Sequence, residues 1–356
     1  MIIFNLIRGM FMAFADSVPG VSGGTIAFVM GFYNQFIDSI TTLTSHSSKE
    51  EKKDALIFLL KIGIGWAIGM VISILLISSV LDTHIYDISS LFLGFIAFSI
   101  PLIYKEEKDV IKGNNKHFIY LVIGFAIVAL ITYFNPISRA NMDQMSKNKT
   151  QTAITHDITS QDTTQLETSS VSSNEIPTGI TTTTNSSFSI GMGIYVFFAG
   201  MIAISAMVLP GISGSTLLLI FGLYSTIITN IKDFINYFIL LAQHLIGKWL
   251  GKSDFPIMPE FNLGGFLLLI VFGIGVLVGL ASVVRVISKL LKTKRSQLIY
   301  FIFGLMIASL YAVVMGPTTL DTPQIPMTFE TFNIIFFIIG ALIILGLEKL
   351  KTIMQA

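Results

Sequence analysis

The chain has 356 residues, of which 53% are hydrophobic and only 12% charged, with a mean hydropathy of +0.78. A soluble domain could not cover that much apolar surface, so the composition identifies an all-α polytopic membrane protein. The formal net charge of +1 gives no reason to expect a nucleic-acid partner, and the absence of cysteine excludes disulfides, thiolate metal sites and a cysteine nucleophile.

The chain opens on a short apolar run ending in Ala13-Phe14-Ala15, which imitates a signal-peptidase site. Cleavage is not expected, because Arg8 interrupts the run and the cut would enter a motif that recurs deep in the chain. Ala15-Asp16-Ser17-Val18-Pro19-Gly20-Val21-Ser22-Gly23-Gly24-Thr25, leading to Gly31-Phe32-Tyr33, aligns without gaps on Ala206-Met207-Val208-Leu209-Pro210-Gly211-Ile212-Ser213-Gly214-Ser215-Thr216, leading to Gly222-Leu223-Tyr224, at a constant offset of 191. A second echo has an offset of 210: Gly63, Gly65, Gly69, Gly94 and Ser99 match Gly273, Gly275, Gly279, Gly304 and Ser309. Two halves therefore share one plan.

In chain order, the first half (1–137) is expected to hold a motif hairpin at 2–40 and apolar spans at about Ala55–Leu81, Ile88–Tyr104 and Phe118–Phe134. A Thr/Ser/Asn/Gln-rich tract at 138–187 follows, too polar to bury a core, and reads as a disordered extracytoplasmic loop. The second half (188–356) is expected to hold a hairpin at 191–230, an interfacial amphipathic helix at about 233–250, and spans at about Leu263–Val286, Leu298–Met315 and Phe332–Leu347.

Basic residues cluster in alternate loops, at Lys49–Lys53, Lys105–Lys116, Lys289–Arg295 and Lys349–Lys351, which the positive-inside rule makes cytoplasmic, with both termini on that side. Charge parity then returns each motif segment to its own side. A re-entrant hairpin broken at Pro-Gly-x-Ser-Gly does so, and so do two full crossings. The hairpin is preferred because such a turn exposes backbone groups that a membrane tolerates only inside protein or a wet cavity. With three crossings per half, the repeats are inverted, as in secondary transporters that bind cargo near the midplane.

Pro19 and Pro210 stop the first arm. Free N–H groups at the next helix, with Ser17, Gly20, Ser22, Gly23, Gly24 and Thr25 in one turn and Gly211, Ser213, Gly214, Ser215 and Thr216 in the other, suit a phosphate or carboxylate. Close helix packing by small residues is the competing reading. Among the intramembrane charges, Arg8 is either a bidentate phosphate ligand or a snorkelling interfacial arginine. Asp16 either couples to H⁺ or Na⁺ or caps the break. Lys61 and Arg285 read as interfacial anchors. His46, His84, His117, His156 and His244 all lie in loops or at span ends, away from any place for intramembrane hydrolysis, so no catalytic residue, metal or cofactor is expected.

Arg8-Gly9, the motif from Ala15 to Ala27 and its partner from Pro210 to Ser215 resemble the bacterial undecaprenyl-phosphate translocase family of the PopT type. The resemblance implies a lipid-carrier flippase, not an enzyme, in the bacterial cytoplasmic membrane. Its cargo would be undecaprenyl phosphate, returned from the outer to the inner leaflet for cell-wall synthesis. A transporter or channel for a small anion is the alternative that the same residues allow.

Overall fold

A computed structural model describes residues 2–17, 22–113, 115–135, 138–144, 189–211, 213–249, 261–319 and 323–355. Pro19, Gly20 and most of the predicted polar loop lie outside the described residues. All regular structure among them is helical. The first half contains α1 (Ile2–Asp16), α2 (Gly23–Val29), α3 (Tyr33–Thr44), α4 (Lys49–Glu106), the short α5 (Lys108–Ile111), α6 (Phe118–Tyr133) and α7 (138–144). The second contains α8 (Ile190–Val208), α9 (Gly214–Ile220), α10 (Tyr224–Trp249), α11 (Leu263–Thr293), α12 (Arg295–Met315) and α13 (Ile334–Gln355).

Local chemistry sets these boundaries. A reciprocal capping box starts α4: Ser48 Oγ accepts from Glu51 N at 3.2 Å and Ser48 N donates to Glu51 Oε2 at 2.9 Å. Non-helical backbone at His84 (φ −126°, ψ 30°) divides α4 into two apolar stretches, Lys49–Ser73 and His84–Glu106. Asn262 caps α11 through Gly265 N. Leu209 ends α8 in an extended conformation (φ −82°, ψ 130°), as a residue before proline must.

Six helices among the described residues are long and apolar enough to cross a membrane. Five correspond to predicted spans. The sixth is α8, expected as a hairpin arm, while the last predicted span corresponds to α13. The expected interfacial helix at 233–250 is the second part of α10, which begins just after the positive-φ Gly222 and runs from Tyr224 to Trp249 with no proline to break it.

The two motif segments fold back on themselves. Asp16, at the end of α1, binds Gly23 N at the start of α2, whereas Arg8, two turns earlier, stacks over Phe32 just past the end of α2. In the second half Gly214 abuts Ala203 and Met207, and the Tyr195 hydroxyl donates to the Phe221 carbonyl at 2.8 Å. Each seven-residue helix (α2, α9) thus runs antiparallel to its longer arm for about 10 Å.

The sequence echo is also a packing echo. A Cβ at Gly9 would strike the Ile62 carbonyl, and one at Gly65 the Leu6 carbonyl. At the equivalent places, Gly200 lies on Phe272 and Gly275 on Phe197. Four further glycines join the halves: Gly94 meets Phe337 and Gly340 meets Leu91, while Gly304 meets Leu121 and Gly124 meets Phe301. Backbones in contact at small residues are the main attraction available between helices when lipid is as apolar as leucine.

Polar contacts gather at the two ends of the bundle. At one end Arg295 grips Glu107 with two hydrogen bonds (2.6 and 3.1 Å), Lys292 lies 3.8 Å from Asp38, and Arg285 donates to the Thr44 carbonyl at 2.8 Å. At the other, Asn333 donates to Asp87 at 2.7 Å, Tyr86 to the Ile325 carbonyl at 3.0 Å, and Ser138 pairs with Thr318 at 2.6 Å.

Alanine at Gly94 or Gly304 is expected to lower stability by about 1–3 kcal/mol, because the facing backbone must retreat. Gly63 and Gly273, with nothing within 4 Å of an added Cβ, should accept alanine without loss. Thermal denaturation of the detergent-solubilised chain, followed by loss of the monodisperse peak, compares the two pairs.

Candidate functional site

The two broken turns meet. Ser22, at the N-cap of α2, is wholly buried, and its hydroxyl lies 3.1 Å from the Met207 carbonyl and 3.4 Å from the Leu209 carbonyl. These acceptors are orphaned because α8 ends there. The same oxygen accepts from Gly24 N at 3.1 Å, so one hydroxyl caps α2 and closes the end of α8. In return, Thr25 Oγ1 accepts from Gly211 N at 3.0 Å. Gly211 has φ +93°, which the turn requires, and a Cβ there would also press on Leu305 of α12.

Gly24 fits under the same carbonyls: a Cβ would come within 2.8 Å of Val208 O and 2.9 Å of Met207 O. Gly23 is held on the other side, where its N–H donates to Asp16 Oδ1 at 2.7 Å. The second Asp16 oxygen accepts from Trp66 Nε1 at 3.0 Å. Both oxygens of this carboxyl group therefore engage the protein. In the second half Met207 replaces Asp16 and Val276 replaces Trp66, so this clasp exists in one repeat only. There, Ser213 and Ser215 pair through their hydroxyls at 2.7 Å.

The predicted site residues separate into three groups. Ser22, Gly23, Gly24, Thr25 and Gly211 come together at the junction, Asp16 adjoins it, and Ser213, Gly214 and Ser215 form the adjacent start of α9. Pro210 is buried at the break, whereas Pro19 and Gly20 lie outside the described residues. Ser17 turns into its own helix, donating to the Ala13 carbonyl at 2.8 Å. Thr216 faces a small polar cleft with Thr132, Asn135 and Thr319.

Arg8 lies apart from the junction. Eight residues along α1, about 12 Å from Asp16, its Nη1 donates to Asn5 at 3.0 Å and its guanidinium stacks on Phe4 (4.2 Å) and Phe32 (4.8 Å). Its Nε is buried without a hydrogen-bond partner. Among the described residues no group of three His, Cys, Asp or Glu side chains is placed to hold a metal ion.

Three features of the junction escape a reading of the motif alone. Trp66 carries one: an indole N–H in an apolar span needs an acceptor, but nothing in the spacing names Asp16. The carbonyls of Met207 and Leu209 carry the others, since acceptors contributed by backbone leave no mark in residue identity. The N–H groups of Gly23, Gly24 and Thr25 already have protein acceptors, the last through the Ser22 carbonyl at 2.9 Å. The first turn of α2 is thus closed by its own chain.

Thr25→Val keeps the shape but strands the buried Gly211 N–H. It is expected to cost about 1–3 kcal/mol, while Thr25→Ser should recover most of that loss; thermal unfolding of the two proteins provides the comparison.

The undecaprenyl phosphate translocase-like family matches residues 12–331. The chain is 29% identical over 348 residues to the polyprenyl-phosphate transporter of Staphylococcus aureus, covering 98% of this chain and 96% of the relative. It is 25% identical over 375 aligned positions to the polyprenyl-phosphate transporter of Vibrio cholerae serotype O1, covering 96% and 95%. No solved structure matches. Both relatives are named as transporters, not enzymes, and with the family match spanning nearly the whole chain, this multi-pass membrane protein belongs to the undecaprenyl phosphate translocase-like family.

Proposed function

We propose that the protein is a flippase that returns undecaprenyl phosphate from the outer to the inner leaflet of the bacterial cytoplasmic membrane, for reuse in cell-wall synthesis. The observation that carries the proposal is the junction of the two broken turns: buried hydroxyl and amide groups from both halves meet among apolar helices. A phosphate monoester, with ~1.5 to 2 negative charges at neutral pH, needs such donors, while its polyprenyl tail stays in lipid.

The two hairpins act as re-entrant elements of inverted repeats. The return of each short helix along its arm supports this, as do the end-to-end contacts. The basic N-terminal end of α4 and the basic C-terminal end of α11, its counterpart, belong to one face, where Lys292 meets Asp38. On charge parity that face, with both termini, is cytoplasmic.

In this reading Ser22, Gly23, Gly24 and Thr25 in one turn and Gly211, Ser213, Gly214, Ser215 and Thr216 in the other receive the head group. Arg8 supplies the compensating charge at the far end of the first hairpin. The closed first turn of α2 must then exchange its internal acceptors, Asp16 and the Ser22 hydroxyl, for phosphate oxygens. That exchange gives Asp16 its role: on release from Gly23 and Trp66 it takes up H⁺ or Na⁺, coupling the ion to the step.

Purified protein in proteoliposomes tests the assignment. Wild type should move undecaprenyl phosphate between leaflets, and Ser22→Ala and Arg8→Ala should slow it at least about tenfold, the equivalent of about 1.4 kcal/mol. Wild-type rates in both variants refute the site. Flux of inorganic phosphate without lipid movement would identify a small-anion transporter instead.

A further inference from the structure

From Phe118 to Ile131, α6 has no hydroxyl or amide side chain except Tyr120. Three polar residues then follow at three-residue spacing, Thr132, Asn135 and Ser138, and all three are buried. They line one wall of a small cleft whose other walls are Thr216 of α9 and the end of α12 with the following 3-10 turn, Gly316–Thr319. Among the described residues that line it, no side chain is charged.

The cleft is roofed. Ser138 donates to Thr318 Oγ1 (2.6 Å), which passes the bond to the Met315 carbonyl (2.7 Å), and Asn141 Nδ2 donates to the Thr318 carbonyl at 2.7 Å. The space beneath is about 20 Å³, enough for one water molecule. Beside the roof, Arg139 is tied by Nε to the Tyr133 carbonyl at 2.9 Å and stacked on the exposed rings of Tyr133 (4.5 Å) and Phe134 (4.8 Å). Aromatic rings and a cation so placed belong at a membrane–water boundary. The guanidinium's terminal nitrogens are not used in these contacts.

We propose that this cleft is the outer-leaflet capture site for a prenyl phosphate head group. Arg139 attracts the phosphate at the rim, and the Ser138–Thr318 latch lifts to admit it. Thr132, Asn135 and Thr319 receive its oxygens and pass them to Thr216, the first motif residue on the path inward. The proposal rests on the translocase reading above and adds to it the side of entry and the residues that select a phosphate from an alcohol. A neutral, hydroxyl-lined channel beneath a single arginine recognises the anion without holding it as tightly as a buried cation would, which a carrier requires.

The full chain in proteoliposomes, with geranylgeranyl phosphate presented from the side of residues 138–144 and geranylgeraniol as the uncharged control, tests it. Asn135→Asp keeps the shape and adds a negative charge, so the half-saturating concentration should rise at least about tenfold. Arg139→Gln should raise it several-fold, and Arg139→Lys should recover part of that. Because the chain has no cysteine, Ser138→Cys with Thr318→Cys forms a clean lock: oxidation should stop uptake and reduction restore it, whereas the rate of either single variant should not respond to the oxidant. A fall in maximum rate with half-saturation unchanged in Asn135→Asp and Arg139→Gln, or transport through the oxidised lock, overturns the capture site while wild-type transport leaves the translocase reading standing. Wild type that moves neither geranylgeranyl phosphate nor undecaprenyl phosphate overturns that reading itself.

Discussion

An apolar surrounding offers no partner to an unpaired N–H or carbonyl, so a helix broken among buried apolar side chains is viable only if protein replaces the lost bonds. Here each break repairs the other. The orphan carbonyls at the end of α8 lie against the Ser22 hydroxyl from the first half, and the Gly211 N–H of the second half finds Thr25. Neither turn is complete alone. A displacement of one hairpin therefore strips bonds from the other, and the two must change state together or replace those bonds with a ligand's.

Around that junction the helices pair by two different rules. α1 lies on α4 and α8 on α11 within each half, whereas α4 meets α13 and α6 meets α12 across the halves. The cross pairs reach from end to end of the bundle and share its polar end contacts, one set with Arg295–Glu107, the other with Asn333–Asp87 and Ser138–Thr318. Small residues at all four contacts keep the backbones close without interlocking large side chains, so sliding or tilting one pair against the other disturbs few rotamers.

Much of this was legible in the sequence, and the parts that were not share a physical cause. The doubled motif marks where the chain folds back, and of the echoed glycines Gly65, Gly69 and Gly94, with Gly275, Gly279 and Gly304, lie against facing backbone that leaves no room for a side chain, whereas Gly63 and Gly273 face open space. The amphipathic pattern read from the sequence covers only the second part of α10, which the structure starts at Tyr224. Arg8 fitted a phosphate ligand by chemistry, yet the antiparallel fold of the hairpin carries it to the opposite end from Ser22, a consequence of direction that composition does not record. Trp66 was invisible as a partner of Asp16 for the same reason: the pair is 50 residues apart and is joined only by how α1 lies on α4.

The cross-half pairing also sets a timetable for the newborn protein. Gly9 and Gly65 leave the ribosome close together, so α1 and α4 can settle early, but the glycine face of α6 at Gly124 waits for Gly304, 180 residues later. At ~5–20 residues per second, synthesis leaves that face without its partner for roughly ten to forty seconds. During that interval α6 leaves the backbone at Gly124 open to lipid and to any other inserted helix. Cells making this protein thus have a window in which half-made chains can pair wrongly with one another, and membrane chaperones or slow translation near the middle of the message would act there.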